Sequence, residues 1–338
     1  MGGNALKQVK TFRLNKDDYF SLAEECLNIL TNIYPNRKIK IIPSFFEKLD
    51  FGDLDILIEL KKDNLSEDNG EAVKKAFKSK ETYFNNNVRS YEFKNFQVDL
   101  VFIGQESFEF AYNYYSYNDL GNLMGKAAKK LRTSYGYKDL YFTHCDNRNK
   151  SQLLGKVSLT KNSKTAFDFM GYDFNQLEKG FNNLEEIFEY VVSSPFFSKQ
   201  AFYWENINHA ARIRDKKRKT YNEFLKWLEL KNPPDGRYHQ IDSNFIYSRL
   251  DDFFPELKNQ VVLLELDEEK RKLIKSKFNG LIFAELTGYQ EKELSEKMKA
   301  FKNSIDNFSQ WIEIAEINEV NEKIKKFAQK NCNFKKNN

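Results

Sequence analysis

Apolar and polar positions change their spacing several times along the chain, and each change marks an element. Tyr19, Leu22, Leu27, Leu30 and Ile33 recur every three to five residues behind Asn15 to Asp18, which predicts a capped first helix that Pro35 ends. A strand-like run follows at residues 37–43, and residues 51–60, FGDLDILIEL, read as a second strand. The polar stretch KKDNLSEDNGE is then a loop, and residues 72–84 read as a short amphipathic helix. Residues 88–93 and 96–103 predict a hairpin turned at Lys94 and Asn95.

Helical spacing dominates from there. Residues 106–135 predict two helices, the second starting at Asn118 with Leu120, Leu123, Met124, Ala127, Ala128 and Leu131 on its apolar face. A strand at LYF precedes a threonine-capped helix ending at Gly171, and residues 175–192 carry the stripe Leu177, Phe181, Leu184, Ile187, Phe188 and Val191. SSPFF at 193–197 breaks that pattern and suggests a domain boundary. Residues 199–230 read as one or two helices, 233–242 as a loop and 244–334 as helical with charged runs, while the terminal KKNN reads as disordered. The implied class is α+β: a small mixed sheet flanked by helices, followed by a mostly helical C-terminal domain.

Composition narrows the picture. The 338 residues, 41% of them apolar, suffice for two domains. No apolar run reaches membrane-spanning length, and no secretory leader pattern opens the chain, so a cytoplasmic location without membrane partners is expected. Abundant Lys, Asn, Phe, Tyr and Ile point to an A·T-rich coding genome such as that of a phage, a virus or a low-GC bacterium, and so to a host cytoplasm in the first two cases. Three scattered cysteines read as reduced thiols, and three isolated histidines, His144, His209 and His239, offer no zinc spacing. Walker A and G-x-G-x-x-G loops are absent.

Candidate chemistry sits in residues 51–60. Asp53 and Asp55, two apart on a strand, project from one face, while Leu54, Ile56 and Ile58 can pack into the other. Paired carboxylates are costly unless a cation lies between them, and Mg²⁺ is held by one or two carboxylates plus phosphate oxygens. Asp99, within the apolar strand FQVDLVFI, could supply a third ligand. Acidic alternation on a solvated strand face gives the same local pattern. The net charge of +5 is modest, but residues 212–219, RIRDKKRK, form the densest basic cluster, with Tyr203, Trp204, Tyr221 and Trp227 around it. A charged helix face is the common origin of such a run. Phosphate pairing and base stacking are the alternative, through Arg212, Arg214, Lys216, Lys217, Arg218 and Lys219.

The string PSFFEKLDFGDLDILIEL resembles the palm signature of the DNA polymerase beta-like nucleotidyltransferase superfamily, a small Gly-Ser turn followed by G-D-h-D-h-h-h, where h is apolar. VDLVFI resembles the strand carrying that family's third acid. The similarity runs from about residue 38 to 142 and more weakly to 172. It implies that Asp53 and Asp55 bind two Mg²⁺ (or Mn²⁺) ions, that Asp99 helps activate the primer hydroxyl, and that Ser44, with Lys48 and Gly52, contacts the triphosphate. Tyr114, Ser116, Asn118 and Lys126 fall in the lobe that meets the sugar and base. Pro43 departs from the family's glycine and removes a phosphate-binding amide. Glu47 and Lys48 stand near where some members carry arginines.

The resemblance predicts a palm over residues 1–110 and a nucleotide-contacting lobe over 111–195; residues 196–338 carry no family resemblance and read, from spacing and the basic run alone, as a basic helical domain with nucleic-acid binding as one reading. The expected activity is transfer of an NMP from a (d)NTP to a hydroxyl, that of a nucleic-acid 3′ end, with release of pyrophosphate. The short segment ahead of the palm, without a helix-hairpin-helix signal, points away from gap repair. Two alternatives are a non-catalytic binding module that keeps the palm, and a nucleotidyltransferase that modifies a protein.

Overall fold

Asn15 opens the first helix where the spacing places it. The computed structural model describes residues 5–61, 65, 68–145 and 153–333; most of the polar loop's centre and all of the terminal KKNN lie outside them. A two-residue strand β1 (Leu14–Asn15) leads into α1 (Lys16–Ile33), whose Asn15 side chain accepts from the Asp18 amide at 2.9 Å. Next come β2 (Ile39–Ile41), β3 (Asp50–Phe51), β4 (Asp53–Leu60) and α2 (Gly70–Phe77). β5 (Thr82–Asn85), β6 (Val88–Phe93) and β7 (Phe96–Gly104) complete a five-stranded mixed sheet in the order β2-β4-β7-β6-β5. The β6–β7 turn has φ of 52° at Lys94 and 58° at Asn95, the doubly left-handed geometry that matches hairpin twist.

Strand periodicity divides the sheet's two faces. On one, Leu54, Ile56, Ile58 and Leu60 of β4 join Val98, Leu100 and Phe102 of β7 under Tyr19, Leu22, Cys26 and Leu30 of α1 and Val73 and Phe77 of α2, all buried. On the other, Leu57, Val101 and Ile103 pack with Phe108 and Ala111 of α3 (Phe108–Tyr115). The acids of β4 and β7 alternate with the first set and so fall on this second face, short of the part that α3 covers.

The chain continues through α4 (Leu120–Lys130), a three-stranded sheet of β8 (Thr133–Tyr135), β9 (Leu140–Cys145) and β10 (Leu153–Thr160), then α5 (Ser163–Met170), α6 (Phe174–Lys179) and α7 (Leu184–Val192). After two short 3₁₀ turns come α8 (His209–Lys216), α9 (Lys219–Lys231) and α10 (Ser243–Phe253).

Four expectations need correction. The helix predicted over 72–84 stops at Lys78, where φ is 51°, and its second half is β5, because pairing with β6 outweighs helical propensity there. The end of the helix predicted to 135 is β8, since Arg132 turns left-handed at φ 54°. Asn162, not a threonine, caps α5, accepting from the Thr165 amide at 3.0 Å. The single helix expected over 175–192 is broken at Gly180, with φ of 84°, where any Cβ would come within 2.6 Å of the Phe46 ring. β10 was not foreseen at all.

Two compact units result: residues 1–144 with 156–257, and residues 145–155 with 258–338. The boundaries expected at 110 and 195 both fall inside the first. The second unit contains most of α11 (Leu257–Lys277), then α12 (Gly280–Thr287), α13 (Glu291–Asn303), α14 (Phe308–Ile314) and α15 (Ile317–Asn333), around Phe278, Phe283, Phe301, Ile312, Val320 and Ile324. Among the described residues, no helix is long and apolar enough to cross a membrane.

Ile58 is fully buried at the centre of the α1-facing core. Ile58→Ala should therefore lower unfolding free energy by about 2–5 kcal/mol; a loss below about 1 kcal/mol in urea titration would mean that this strand is not where the sheet is anchored.

Candidate metal centre

Parallel pairing of β4 with β7 sets the site's register, with Asp55 opposite Asp99 and Asp53 opposite Gln97. One oxygen from each of Asp53, Asp55 and Asp99 lies within 4.8 Å of the others, so the three half-buried carboxylates could hold a metal ion. The hard anionic oxygens suit a hard divalent cation. Gly52 is buried at the bend that turns β3 into β4, directly before Asp53.

Neighbours hold the third acid. Gln97 donates from Nε2 to both Asp99 oxygens at 3.0 and 2.9 Å, and its own Oε1 accepts from the Ala5 amide at 2.9 Å, which fixes which way the amide points. Ser90, opposite Asp99 on β6, adds a hydrogen bond to the same carboxylate. Such outer partners orient a metal ligand before any cation binds.

The electrostatics are those of an anion-rich site. Burial pushes Asp55 well up from the usual carboxylate range, the Asp53 and Asp99 charges push it further, and Lys48 opposes them. Burial and the Asp53 charge raise Asp99 to about 6 against the hydrogen bonds from Ser90 and Gln97. Burial lowers Lys48, although Asp53 and Asp55 pull it back up. A cation between the acids would offset both the burial of the charges and their repulsion.

Asp53 and Asp55 open into a cavity of about 230 Å³ that Ser44, Lys48 and Asn118 also line. Lys48 donates to Ser44 Oγ at 3.2 Å and lies over the Phe51 ring, 4.6 Å from its centroid. The Phe51 ring in turn stacks on Tyr19 at 3.9 Å. Three of the residues expected around a nucleotide are placed elsewhere. Tyr114 packs edge-on against Tyr115 and Tyr135, Ser116 donates to the Tyr112 carbonyl at 2.7 Å beside a separate cleft of about 540 Å³, and Lys126 is buried against Asp215 at 3.3 Å.

The basic cluster is not a uniformly solvated face. Asp215, fully buried within it, accepts from Arg214 at 2.7 Å and stands 3.8 Å from Arg218, which also pairs with Asp119. Arg212 donates to the Ile207 carbonyl at 3.2 Å. Lys216, Lys217 and Lys219 face solvent, Lys219 within 3.6 Å of Glu223. The lysines and the outer half of Arg214 are thus open to a phosphate backbone.

Tyr115, Asp119 and Thr220 also line the cavity, and none of them stood out in the sequence. Asp119 reads locally as a helix-start residue, and Thr220 is hidden behind the basic run; only the packing of α8 and α9 brings Thr220 near residues a hundred or more positions away. Set against models of known protein families the chain matches none, and a search of curated proteins finds no match either.

The raised acids set a sign for pH dependence. Asp99 titrates near 6 in the fold and near 4 when unfolded, so below pH 4 it costs almost nothing, and the cost builds between about pH 4 and 6 and is constant above that. Without divalent cations, Asp99→Asn should exceed the wild type in stability by about 1–3 kcal/mol at pH 7.5 and by almost nothing at pH 4. Urea denaturation in EDTA at the two pH values tests this, and a gap equal at both would refute it.

Proposed function

We propose that this chain is a metal-dependent nucleotidyltransferase that moves an NMP from a (d)NTP to a hydroxyl, that of a nucleic-acid 3′ end, and releases pyrophosphate. The carrying observation is the convergence of Asp53, Asp55 and Asp99 beside a cavity that Ser44 and Lys48 also line. On this reading the five-stranded sheet is a palm. Asp53, Asp55 and Asp99 would hold Mg²⁺ (or Mn²⁺), two ions on this reading. The ions supply charge neutralisation for the phosphates and a lowered pKa for the attacking hydroxyl.

The protein's own groups do the positioning. Gln97 and Ser90 keep the Asp99 oxygens turned toward the pair, so little reorganisation accompanies cation binding. Lys48, steadied by Ser44 and the Phe51 ring, is a donor for the phosphate tail. Asn118, at the cavity wall, is the expected sugar-contacting residue that lies within reach of such a tail. Lys216 and Lys217 offer the acceptor strand its phosphate contacts. A binding module without chemistry is disfavoured, because three clustered carboxylates with no cation cost stability that two apolar strands do not require.

The decisive assay offers each labelled NTP and dNTP with RNA, single-stranded DNA and gapped duplex in Mg²⁺ or Mn²⁺. An acceptor should lengthen, and Asp53→Ala should leave below about a hundredth of that activity. Thermal stabilisation by a nucleoside triphosphate should need the divalent ion and disappear in the same variant. Pyrophosphate release without a longer nucleic acid would redirect the assignment to a protein or small-molecule hydroxyl; no metal-dependent response to any triphosphate would end it.

A further inference from the structure

The helix α9 (Lys219–Lys231) begins at the wall of the metal-centre cavity, and its start is built to receive an anion. Its N-cap residue, Arg218, contributes no side-chain cap, and no acid stands in its first turn. The first-turn amides therefore lack an intrahelical acceptor and present the positive end of a thirteen-residue helix dipole. Thr220, in that first turn, is only 8% exposed and lines the cavity together with Asp53, Asp55, Ser44 and Lys48. Its hydroxyl has no hydrogen-bond partner among the described residues, although nearly all of the residue is buried. A hydroxyl without a protein partner, on a side chain nine-tenths buried at the wall of the cavity and beside an uncapped helix start, is what a bound phosphate would satisfy.

We infer that the N-terminus of α9, with the Thr220 hydroxyl, forms a second phosphate subsite that takes the triphosphate tail of the incoming nucleotide. This rests on the nucleotidyltransferase reading and adds to it a wall that no recognised motif covers. Pro43 has no amide to offer on the Ser44 side, and its carbonyl accepts from the Tyr117 amide at 2.8 Å, so a tail needs donors from elsewhere. Asp119 would repel a phosphate on the α9 side, but Arg218 pairs with it. Lys219 adds an exposed cation at the helix's first position.

Calorimetric titration of the full chain in Ca²⁺ separates the possibilities, with ATP, inorganic tripolyphosphate, AMP and a single-stranded oligonucleotide as probes. Thr220→Val should weaken ATP and tripolyphosphate on the order of tenfold, leave AMP and the oligonucleotide unchanged, and be rescued by Thr220→Ser. Should the valine variant fail to fold, Lys219→Glu decides: an acid in the first turn favours the helix yet should still weaken tripolyphosphate several-fold. Unchanged tripolyphosphate binding in variants whose parent binds it overturns the subsite alone, and loss confined to the oligonucleotide reassigns the phosphate to the acceptor and overturns it too. A wild-type protein that binds no triphosphate at all removes the nucleotidyltransferase reading and the subsite with it.

Discussion

Mutual repulsion among three carboxylates is the constraint around which this fold is arranged. Parallel pairing leaves no freedom: with Asp55 opposite Asp99, and Asp53 two residues along the same strand, the charges must share one patch of one face. What makes that tolerable lies on the reverse of the sheet. Leu54, Ile56, Ile58, Val98, Leu100 and Phe102 alternate with the acids and are all buried under α1 and α2. A slip of one residue in register would relieve the repulsion but turn that whole apolar set to the wrong side. The core thus holds the acids together, and burial, with the neighbouring charges behind it, raises both Asp55 and Asp99.

A second buried charge system governs the far wall of the cavity. Asp215 binds Arg214 and Lys126 and lies near Arg218, so α8 is tied to α4 through the buried Lys126–Asp215 pair, with Arg214 and Arg218 at its solvent-facing edge. A buried pair of this kind is poor evidence for added stability, because an apolar replacement is often as good. Its value is specificity of placement: an unpaired Lys126 or Asp215 would be so costly that α8 has essentially one position along α4. That position delivers Arg218 to Asp119 and the start of α9 to the cavity.

These two systems differ in how far the sequence discloses them. The acids of β4 and β7 are visible because strand period is local: Asp53 and Asp55 sit two apart in an apolar run, and Asp99 sits alone in another. Capping at Asn15 and the Lys94–Asn95 turn are legible for the same reason, each being settled within four residues. β5 was misread because Thr82 to Asn85 become a strand only by pairing with β6, and the helix break at Gly180 depends on the Phe46 ring more than a hundred residues away. In the basic run Arg214 and Arg218 pair with Asp215 and Asp119 while staying partly open to solvent, and the lysines face solvent outright. RIRDKKRK contains Asp215 itself, but the partners that complete the network, Lys126 of α4 and Asp119 at its start, lie about ninety or more residues away.

The same contrast explains why a motif-based reading stops short of the whole cavity. Metal ligands must be rigid, and neighbouring strands provide rigidity through a regular alternation that leaves a trace in any window of ten residues. Phosphate binding asks only for donors pointing one way, which an uncapped helix supplies from its backbone whatever side chains it carries. A site of this kind has almost no sequence signature. On the proposed reading Pro43 stands where a phosphate-loop glycine would, and donors for a phosphate would then be sought in helix termini packed beside the three acids, not in a second motif. Here α9 meets that description, with Thr220 lining the same cavity as Asp53 and Asp55.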